Sequence, residues 1–294
     1  MADITAALVK ELRERTGSGM MECKRALQET GGDIEAAVEL MRKAGQAKAD
    51  KKASRVAAEG LIVLRQAAGA VAMAEVNCET DFVTKNDDFR TFAAEVADTV
   101  LREGPTDLDA LLAATMANGQ SVEQNRRDCI ARIGENINVR RGARLTSSTG
   151  VLGSYLHGTR IGVLVELEGG DADLAKDIAM HIAASRPLCV SADQVPAESI
   201  AKEKEIYAAR AVAEGKPAGM IDKIAEGRLR KYFEEVTLLG QPFVKDPEQS
   251  VEQLLKSRKA RVVRFERFEL GEGIAKKSSD FAAEVAAARG DGDD

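Results

Sequence analysis

The histidines are the first candidates for catalysis or metal binding, and this chain has only two of them. His157 is expected at a hairpin turn, and His181 is expected on the apolar side of a helix. Neither has a partner at the spacing of a metal site or of a nucleophile and its base. We expect His181 to be packed in a core. For His157, surface decoration and contact with a partner are both open.

No CxxC pair exists among the four cysteines, which are Cys23, Cys78, Cys129 and Cys189. Such wide spacing is typical of reduced thiols in a reducing compartment, and it favours neither a disulfide framework nor a zinc site. We expect all four to be small packed residues.

Two further patterns have ordinary structural explanations. The segment TGSG at residues 16–19 lacks the GxxxxGK[ST] spacing of a phosphate loop and follows a helix instead of a strand. Charged pairs such as Glu11 and Arg15 fit helix-surface pairing, not general acid and base catalysis. We therefore expect no enzyme activity, no bound metal and no cofactor.

The segment NCETDFV at residues 77–83 is unusual, because it places an aromatic residue after an apolar run in a chain that is only 4% aromatic. The preceding residues 71–76 have the pattern of a half-buried strand. A helix is predicted to follow, with Asn86 as its N-cap. Phe82 belongs to neither pattern. It either staples the helix entrance together with Val83 or stays exposed for a partner.

The composition sets wider limits on function. The chain has 294 residues, of which 44% are hydrophobic and 31% are charged, as expected for a globular protein with room for two packed units. Its net charge of -6 arises from mixed signs, so we expect no direct nucleic-acid partner. There is no apolar run of signal-peptide or membrane-span length, so we expect no membrane association and a cytoplasmic location.

The N-terminal part has the pattern of three short helices. Asp3 is the predicted cap of the first helix, which residues 16–19 end. Residues 20–30 form the second helix, and Asp33 caps a third that is expected to end at Gly45.

Residues 46–60 are basic and poor in large apolar side chains. They predict a linker, helical or not, whose charges are solvated. Binding of nucleic acid by this segment is the alternative.

The centre of the chain contains an internal duplication, in which a strand–turn–strand pattern is followed by a helix. The hairpins are predicted at residues 60–76 and 150–167, and the helices at residues 89–102 and 174–185. A hairpin with one apolar face needs a helix to cover it, so the copies predict an α+β core of two antiparallel-sheet subdomains. The second copy has EGGDAD where the first has CETDFV. The fold thus does not require a bulky residue there, which favours an exposed Phe82.

The last third of the chain starts with two charged amphipathic stretches, residues 198–213 and 219–233. They predict an antiparallel helical hairpin inserted into the second subdomain. A short helix around residues 251–255 and a strand at residues 262–270 then complete that subdomain. A change of phase along the strand predicts a bulge near Glu266.

A final amphipathic helix with Phe281 and Val285 must dock on its own core or on a partner, and a frayed tail follows it.

These patterns divide the chain into five parts. They are a three-helix domain at 1–54 with a linker to about 59, a first core subdomain at 60–149, a second at 150–195 and 239–271, the inserted hairpin at 196–238, and a C-terminal helical module at 272–294.

Several long motifs, in this order, resemble the bacterial elongation factor Ts family, the guanine-nucleotide exchange factors of elongation factor Tu. They are VKELRERTGSGMMECKRAL at 9–27, NCETDFV at 77–83, IGENINVRR at 133–141, GSYLHGTRIGVLVEL at 153–167 and GQPFV at 240–244. The resemblance runs from end to end. It implies a three-helix N-terminal domain like a ubiquitin-associated (UBA-like) domain, a duplicated α+β core, a coiled-coil hairpin and a C-terminal helical module. Thr84 departs from the family pattern, which often has Ala there.

The resemblance also implies roles for individual residues. Thr80, Asp81, Phe82 and Val83 would form a loop that presses into the nucleotide-binding domain of elongation factor Tu near its magnesium ion and loosens GDP. Partner contacts are implied for Lys10, Leu12, Arg13, Met20, Met21, Ile133, Gly134, Glu135, Asn136 and His157. Leu12 is also expected in the core of the three-helix domain. Met20 and Met21 are adjacent and cannot both face inward, so one exposed, adaptable methionine is expected.

Two functions are therefore open. The first is an exchange factor that binds elongation factor Tu in its GDP-bound and nucleotide-free states. The second is an interaction scaffold without exchange activity, which uses the three-helix domain and in which NCETDFV is structural. Whether the helical hairpin also forms a homodimer is left open by the sequence.

Overall fold

The computed structural model describes residues 4–275, which form a mixed α+β structure with small antiparallel sheets. The helices are α1 (Ala6–Thr16), α2 (Met20–Glu29), α3 (Ile34–Lys52), α4 (Asp87–Glu103), α5 (Leu108–Ala113), α6 (Val122–Ile133), α7 (Ala172–Ser185), α8 (Ala197–Ala213), α9 (Ile221–Val236) and α10 (Val251–Ser257). The strands are β1 (Glu59–Ala67), β2 (Ala70–Cys78), β3 (Ile137–Thr146), β4 (Val151–His157), β5 (Ile161–Glu168), β6 (Pro242–Phe243), β7 (Asp246–Ser250) and β8 (Arg261–Glu269).

The three predicted N-terminal helices are present and pack around a small core that includes Leu12, Cys23 and Leu27. The side chain of Thr5 caps α1 by accepting a hydrogen bond from the amide of Leu8. The cap predicted at Asp3 lies outside the described residues.

The predicted end of the third helix at Gly45 is wrong, because α3 continues to Lys52. The predicted linker is therefore helical over its first part. Gly45 lies where α3 packs against α6, and a Cβ there would be 3.0 Å from the Cβ of Ala131. This glycine permits a close helix crossing, which offsets its low helix propensity.

The two predicted hairpins are confirmed, and each belongs to a three-stranded antiparallel sheet. The first sheet has the order β1-β2-β3 and the second has the order β4-β5-β8. Helix α4 covers β1 and β2, as α7 covers β4 and β5. The sequence pattern did not predict β3, which completes the first sheet as β8 completes the second.

All nine residues of β2 are buried, because each face of the strand has its own cover. Side chains such as Ala72, Ala74 and Val76 belong to the same core as the apolar face of α4. The alternating side chains Val71 and Met73 pack against the second sheet. Because successive side chains of a strand point to opposite faces of the sheet, β2 contributes to two cores.

Each of the two three-stranded sheets contains one β-bulge opposite a glutamate of its central strand. In the first sheet the register between β2 and β3 shifts after Glu75, and Arg140 is the extra residue of β3. In the second sheet the register between β5 and β8 shifts after Glu166, and Val263 is the extra residue of β8. The bulge predicted near Glu266 is thus wrong in position.

Glu75 is completely buried, although it carries a carboxylate. It accepts hydrogen bonds from Arg141 Nε at 2.7 Å, from Arg140 Nη1 at 3.0 Å and from the amide of Gly271 at 2.8 Å. A buried charge is tolerated when it is paired and hydrogen-bonded in this way. The network ties the chain after β8 to the first sheet.

The predicted helical hairpin is formed by α8 and α9, which pack against each other. Ile206, Val212 and Met220 are exposed on it. The predicted C-terminal helix with Phe281 and Val285 lies outside the described residues. Within residues 4–275, no helix combines the length and the apolar character needed to span a membrane.

The close packing of β4 on α7 gives a stability prediction at Gly153. A Cβ at this position would be 2.7 Å from the carbonyl carbon of Ala175 and 2.8 Å from its oxygen. Because backbone atoms cannot move aside cheaply, Gly153→Ala should lower the free energy of unfolding by about 1 to 3 kcal/mol.

Gly227→Ala is the matched control, because Gly227 is in α9 and has no atom within 4 Å of the added Cβ. Removing a glycine from a helix should leave stability unchanged or raise it by up to about 1 kcal/mol. Urea unfolding followed by circular dichroism measures both. Equal effects of the two substitutions would contradict this packing.

His181 is buried, as predicted, and both of its ring nitrogens have partners. Nδ1 accepts a hydrogen bond from the amide of Val244 at 3.1 Å, so Nε2 donates to Oε1 of Gln241 at 3.0 Å. Burial lowers the pKa of His181 below its ordinary value. The folded chain therefore keeps this imidazole neutral at a pH at which the unfolded chain protonates it.

This lowered pKa predicts a loss of stability on acidification. Below the ordinary histidine pKa of about 6.5, the unfolded chain binds a proton that folded His181 does not, so the free energy of unfolding falls as the pH falls. Between pH 7.5 and 5.5 the intact chain should lose more stability than His181→Gln, in urea titrations at each pH. His157→Gln, which changes an exposed histidine, should behave like the intact chain. Parallel curves for all three proteins would refute the assignment.

Candidate functional site

The segment predicted as a functional loop lies between two well-packed elements. Strand β2 ends at Cys78, and a short 3-10 helix at Val83–Lys85 leads into α4. Asn86 caps α4, as predicted, with its side-chain oxygen 2.9 Å from the amide of Asp88 and 3.2 Å from that of Phe89. Residues 79–82 are therefore a short connection with fixed ends.

Phe82 and Val83 are adjacent in sequence, but their side chains have opposite environments. Phe82 is 77% exposed, whereas Val83 is 7% exposed and packs in the core beneath α4. The staple interpretation thus applies to Val83 and not to Phe82. An exposed aromatic side chain on a rigid base is a ready contact for a partner.

The backbone of the loop is held by hydrogen bonds on both sides of Phe82. Before it, the carboxylate of Glu135 accepts from the Thr80 amide at 3.0 Å and from the Thr80 hydroxyl at 2.7 Å. After it, the hydroxyl and amide of Thr84 donate to the carbonyl oxygen of Asp81, at 2.6 and 3.1 Å. These bonds fix where Phe82 projects.

Cys78 is also part of the loop base. Its thiol donates to the carbonyl oxygen of Thr80 at 3.1 Å. Burial, together with the nearby carboxylate of Glu135, raises the pKa of Cys78 to about 12. The thiol is therefore protonated at neutral pH and is a poor nucleophile. Cys23 and Cys129 are buried as predicted, and Cys189 is half-buried.

The segment at the end of α6, residues 133–136, lies beside the loop and is hydrogen-bonded to it. Gly134 has a φ of 87° and is the left-handed C-cap of α6. Ile133 packs against the core, and Asn136 is completely buried. The sequence pattern did not predict that this segment and the loop contact each other. No local signal was available, because Thr80 and Glu135 are 55 residues apart.

Glu79 is a site residue that the sequence prediction did not single out. Its carboxylate accepts a hydrogen bond from the amide of Asn136 at 2.6 Å. The only sequence signal for it was its position inside NCETDFV.

The predicted contact residues of the N-terminal helices differ in exposure. Lys10 and Arg13 are exposed, and both Met20 and Met21 are exposed, at 59% and 76%. Leu12 is completely buried in the core of this module, so its side chain offers no surface to a partner in this structure.

His157 is exposed at the end of β4, with its Nδ1 atom 3.3 Å from the hydroxyl of Tyr155. The predicted site residues thus fall on three parts of the chain: the three-helix module, the loop with the end of α6, and the tip of the second sheet. Among residues 4–275, no group of three or more His, Cys, Asp and Glu side chains is arranged to hold a metal ion.

A rigid core that presents an exposed aromatic on an anchored loop, with further exposed apolar side chains elsewhere, has the build of a protein that binds other proteins. Comparison with known sequences identifies the family. The family model described as elongation factor TS matches residues 79–272.

Similar full-length relatives carry the same name. An elongation factor Ts of Methylococcus capsulatus is 64% identical over 97% of this chain and 98% of its own length. That of Thioalkalivibrio sulfidiphilus is 60% identical over 97% and 98%. That of Alkalilimnicola ehrlichii is 57% identical over 98% and 99%. The chain belongs to the elongation factor Ts family, whose members are factors of translation elongation in protein biosynthesis.

The contrast between Phe82 and Val83 predicts a contrast in stability. Phe82→Ala should change the free energy of unfolding by less than about 0.5 kcal/mol, as for other exposed side chains. Val83→Ala should cost about 1 to 3 kcal/mol, because it removes buried methyl groups. Thermal and urea unfolding measure both. A large loss for Phe82→Ala would mean that this side chain packs on its own protein.

Proposed function

We propose that this chain is the guanine-nucleotide exchange factor of elongation factor Tu. It binds elongation factor Tu with GDP bound, disturbs the magnesium and nucleotide site, and releases GDP so that GTP can be loaded. The observation that carries this proposal is the exposure of Phe82, 77%, on a loop whose neighbouring residues are fixed. Thr80, Asp81, Phe82 and Val83 form this loop element, of which Phe82 enters the partner and the buried Val83 is the anchor.

The energy available from Phe82 is large enough for this task. Burying an aromatic side chain removes 150 to 250 Å² from water, which at about 25 cal/mol per Å² gives an upper limit of roughly 4 to 6 kcal/mol. Each 1.4 kcal/mol is a factor of ten in affinity. About a third of this upper limit, if it acts against the nucleotide, is therefore enough to weaken nucleotide binding roughly tenfold.

Linkage makes the action reciprocal. If the factor weakens binding of GDP and of GTP, then each nucleotide weakens binding of the factor by the same ratio, so nucleotide reloading releases the factor for another round. The protein is thus catalytic in exchange without being an enzyme. Its action needs no covalent chemistry and no cofactor of its own.

Two other surfaces extend the contact. The three-helix module, which we take to be UBA-like, offers two adjacent exposed methionines, Met20 and Met21, beside Lys10 and Arg13. Methionine side chains adapt well to a partner surface. At the end of α6, Ile133 and Gly134 approach the phosphate-binding side of the partner. His157, at the tip of the second sheet, meets another domain of elongation factor Tu.

The remaining parts of the proposal concern organisation. We place the protein in the cytoplasm, with the domain boundaries predicted above. The inserted hairpin exposes Ile206, Val212 and Met220, and it is the element through which a homodimer would form.

A second candidate is a scaffold without exchange activity that binds through the three-helix module. The exposure of both Met20 and Met21 is the observation that favours it. In that case the loop at residues 79–82 is only a connection between β2 and α4.

Release of fluorescent GDP from purified elongation factor Tu tests the exchange proposal. The intact chain should accelerate release. The acceleration by Phe82→Ala should be at least about tenfold smaller, because this substitution removes the wedge. Leu108→Ala is the matched control, since Leu108 is another exposed apolar side chain, at 41%. It should act like the intact chain.

The outcomes separate the two candidates. No acceleration by the intact chain, with binding retained, would support the scaffold and refute exchange. Acceleration that persists in a folded Phe82→Ala protein would refute the wedge while leaving exchange standing.

A further inference from the structure

The loop that carries Phe82 and the segment after α6 are joined by a reciprocal pair of carboxylate contacts. Glu135 accepts from the amide and the hydroxyl of Thr80, and Glu79 accepts from the amide of Asn136. Thus residues 79 and 80 each bond to a residue of the pair 135 and 136. We refer to these four residues as the carboxylate clamp.

Each acceptor in the clamp is a carboxylate, the side-chain group that forms charge-assisted hydrogen bonds with backbone amides. The side chain of Glu79 is only 20% exposed, and Asn136 is completely buried. Partial burial reduces competition from water at the Glu79–Asn136 bond. The two Glu135–Thr80 bonds lie at the surface, and they hold the loop because one carboxylate binds both the amide and the hydroxyl of Thr80.

Further contacts connect the carboxylate clamp to the end of α3. The Nδ2 atom of Asn136 donates to the carbonyl oxygen of Arg55 at 2.7 Å, and Arg55 is also 3.5 Å from the carboxylate of Glu79. Lys52, the last residue of α3, donates to the carbonyl oxygen of Gly134. The three-helix module and the Phe82 loop therefore share one support.

We propose that Glu135 is a positioning residue for Phe82 and not itself a contact with the partner. Both oxygens of its carboxylate already bond to Thr80, two residues before Phe82. Without these bonds the loop would keep its fixed end at Val83 but lose its hold at Thr80. The freed backbone would then have to be ordered whenever the partner binds, at an entropic cost. This inference rests on the proposed function.

A pair of substitutions distinguishes positioning from a direct charged contact. Glutamine at position 135 can accept from the Thr80 amide and donate to the Thr80 hydroxyl, so Glu135→Gln keeps the clamp without its charge. Glu135→Ala removes it. Acceleration of GDP release should fall about tenfold for Glu135→Ala, because the hydrogen bonds to Thr80 are lost. It should fall less than about threefold for Glu135→Gln, because these bonds are only weakened. Equal losses for both would indicate a charge contact with the partner and overturn the proposal.

The same substitution in the Phe82→Ala background is the sharper test. If Glu135 acts through Phe82, then Glu135→Ala should cause no further loss once Phe82 is gone. If Glu135 contacts the partner directly, the two losses should multiply, which would overturn the positioning role while leaving the exchange function intact. If Phe82→Ala alone exchanges as fast as the intact chain, the wedge fails and the positioning role fails with it.

A measurement without the partner completes the test. Hydrogen exchange of the Thr80 amide, followed by NMR on the free chain, should be faster in Glu135→Ala than in the intact chain and close to normal in Glu135→Gln. Asp109→Asn, which removes an exposed carboxylate on α5, should leave this amide unchanged. An unchanged Thr80 amide in Glu135→Ala would show that Glu135 does not hold the loop.

Discussion

An exposed phenylalanine is useful to a binding protein only if it does not fold back onto its own surface, and the contacts of its neighbours enforce this. Val83 is locked in the core beneath α4, and Thr80 is held by Glu135. Packing and hydrogen bonds thus fix both ends of the short loop, and the side chain of Phe82 projects into solvent. Pre-ordering of this kind reduces the entropy lost on binding.

The rest of the structure supplies a rigid base for that loop. Strand β2 is buried along its whole length between α4 and the second sheet, and the loop begins at its last residue. The buried Glu75 ties the chain after β8 to the same sheet. The strand that leads into the loop is therefore packed on both faces, and the second sheet, which is far away in sequence, covers one of them.

Local periodicity predicted the parts of the fold that depend on local forces. The helices other than α5 and α6, both hairpins and the Asn86 cap follow from apolar spacing and from side-chain oxygens that satisfy free amides, whereas α5 and α6 were not predicted. The continuation of α3 through Gly45 was not predictable, because it depends on the close approach of Ala131. The bulge was predicted near Glu266 and lies at Val263, opposite Glu166 in another strand. Exposure of Phe82 was inferred by comparing the two copies, whereas its support by Glu135 requires a contact across 55 residues.

The claim that Phe82 acts on the magnesium site of the partner is tested most directly by the magnesium dependence of its effect. GDP release from elongation factor Tu is measured at saturating factor, for the intact chain and for Phe82→Ala, with magnesium present and after chelation. If the wedge works by displacing the ion, GDP release with magnesium present should be much faster with the intact chain than with Phe82→Ala. After chelation of magnesium, the two release rates should become equal. A ratio between the two proteins that is independent of magnesium would contradict this account.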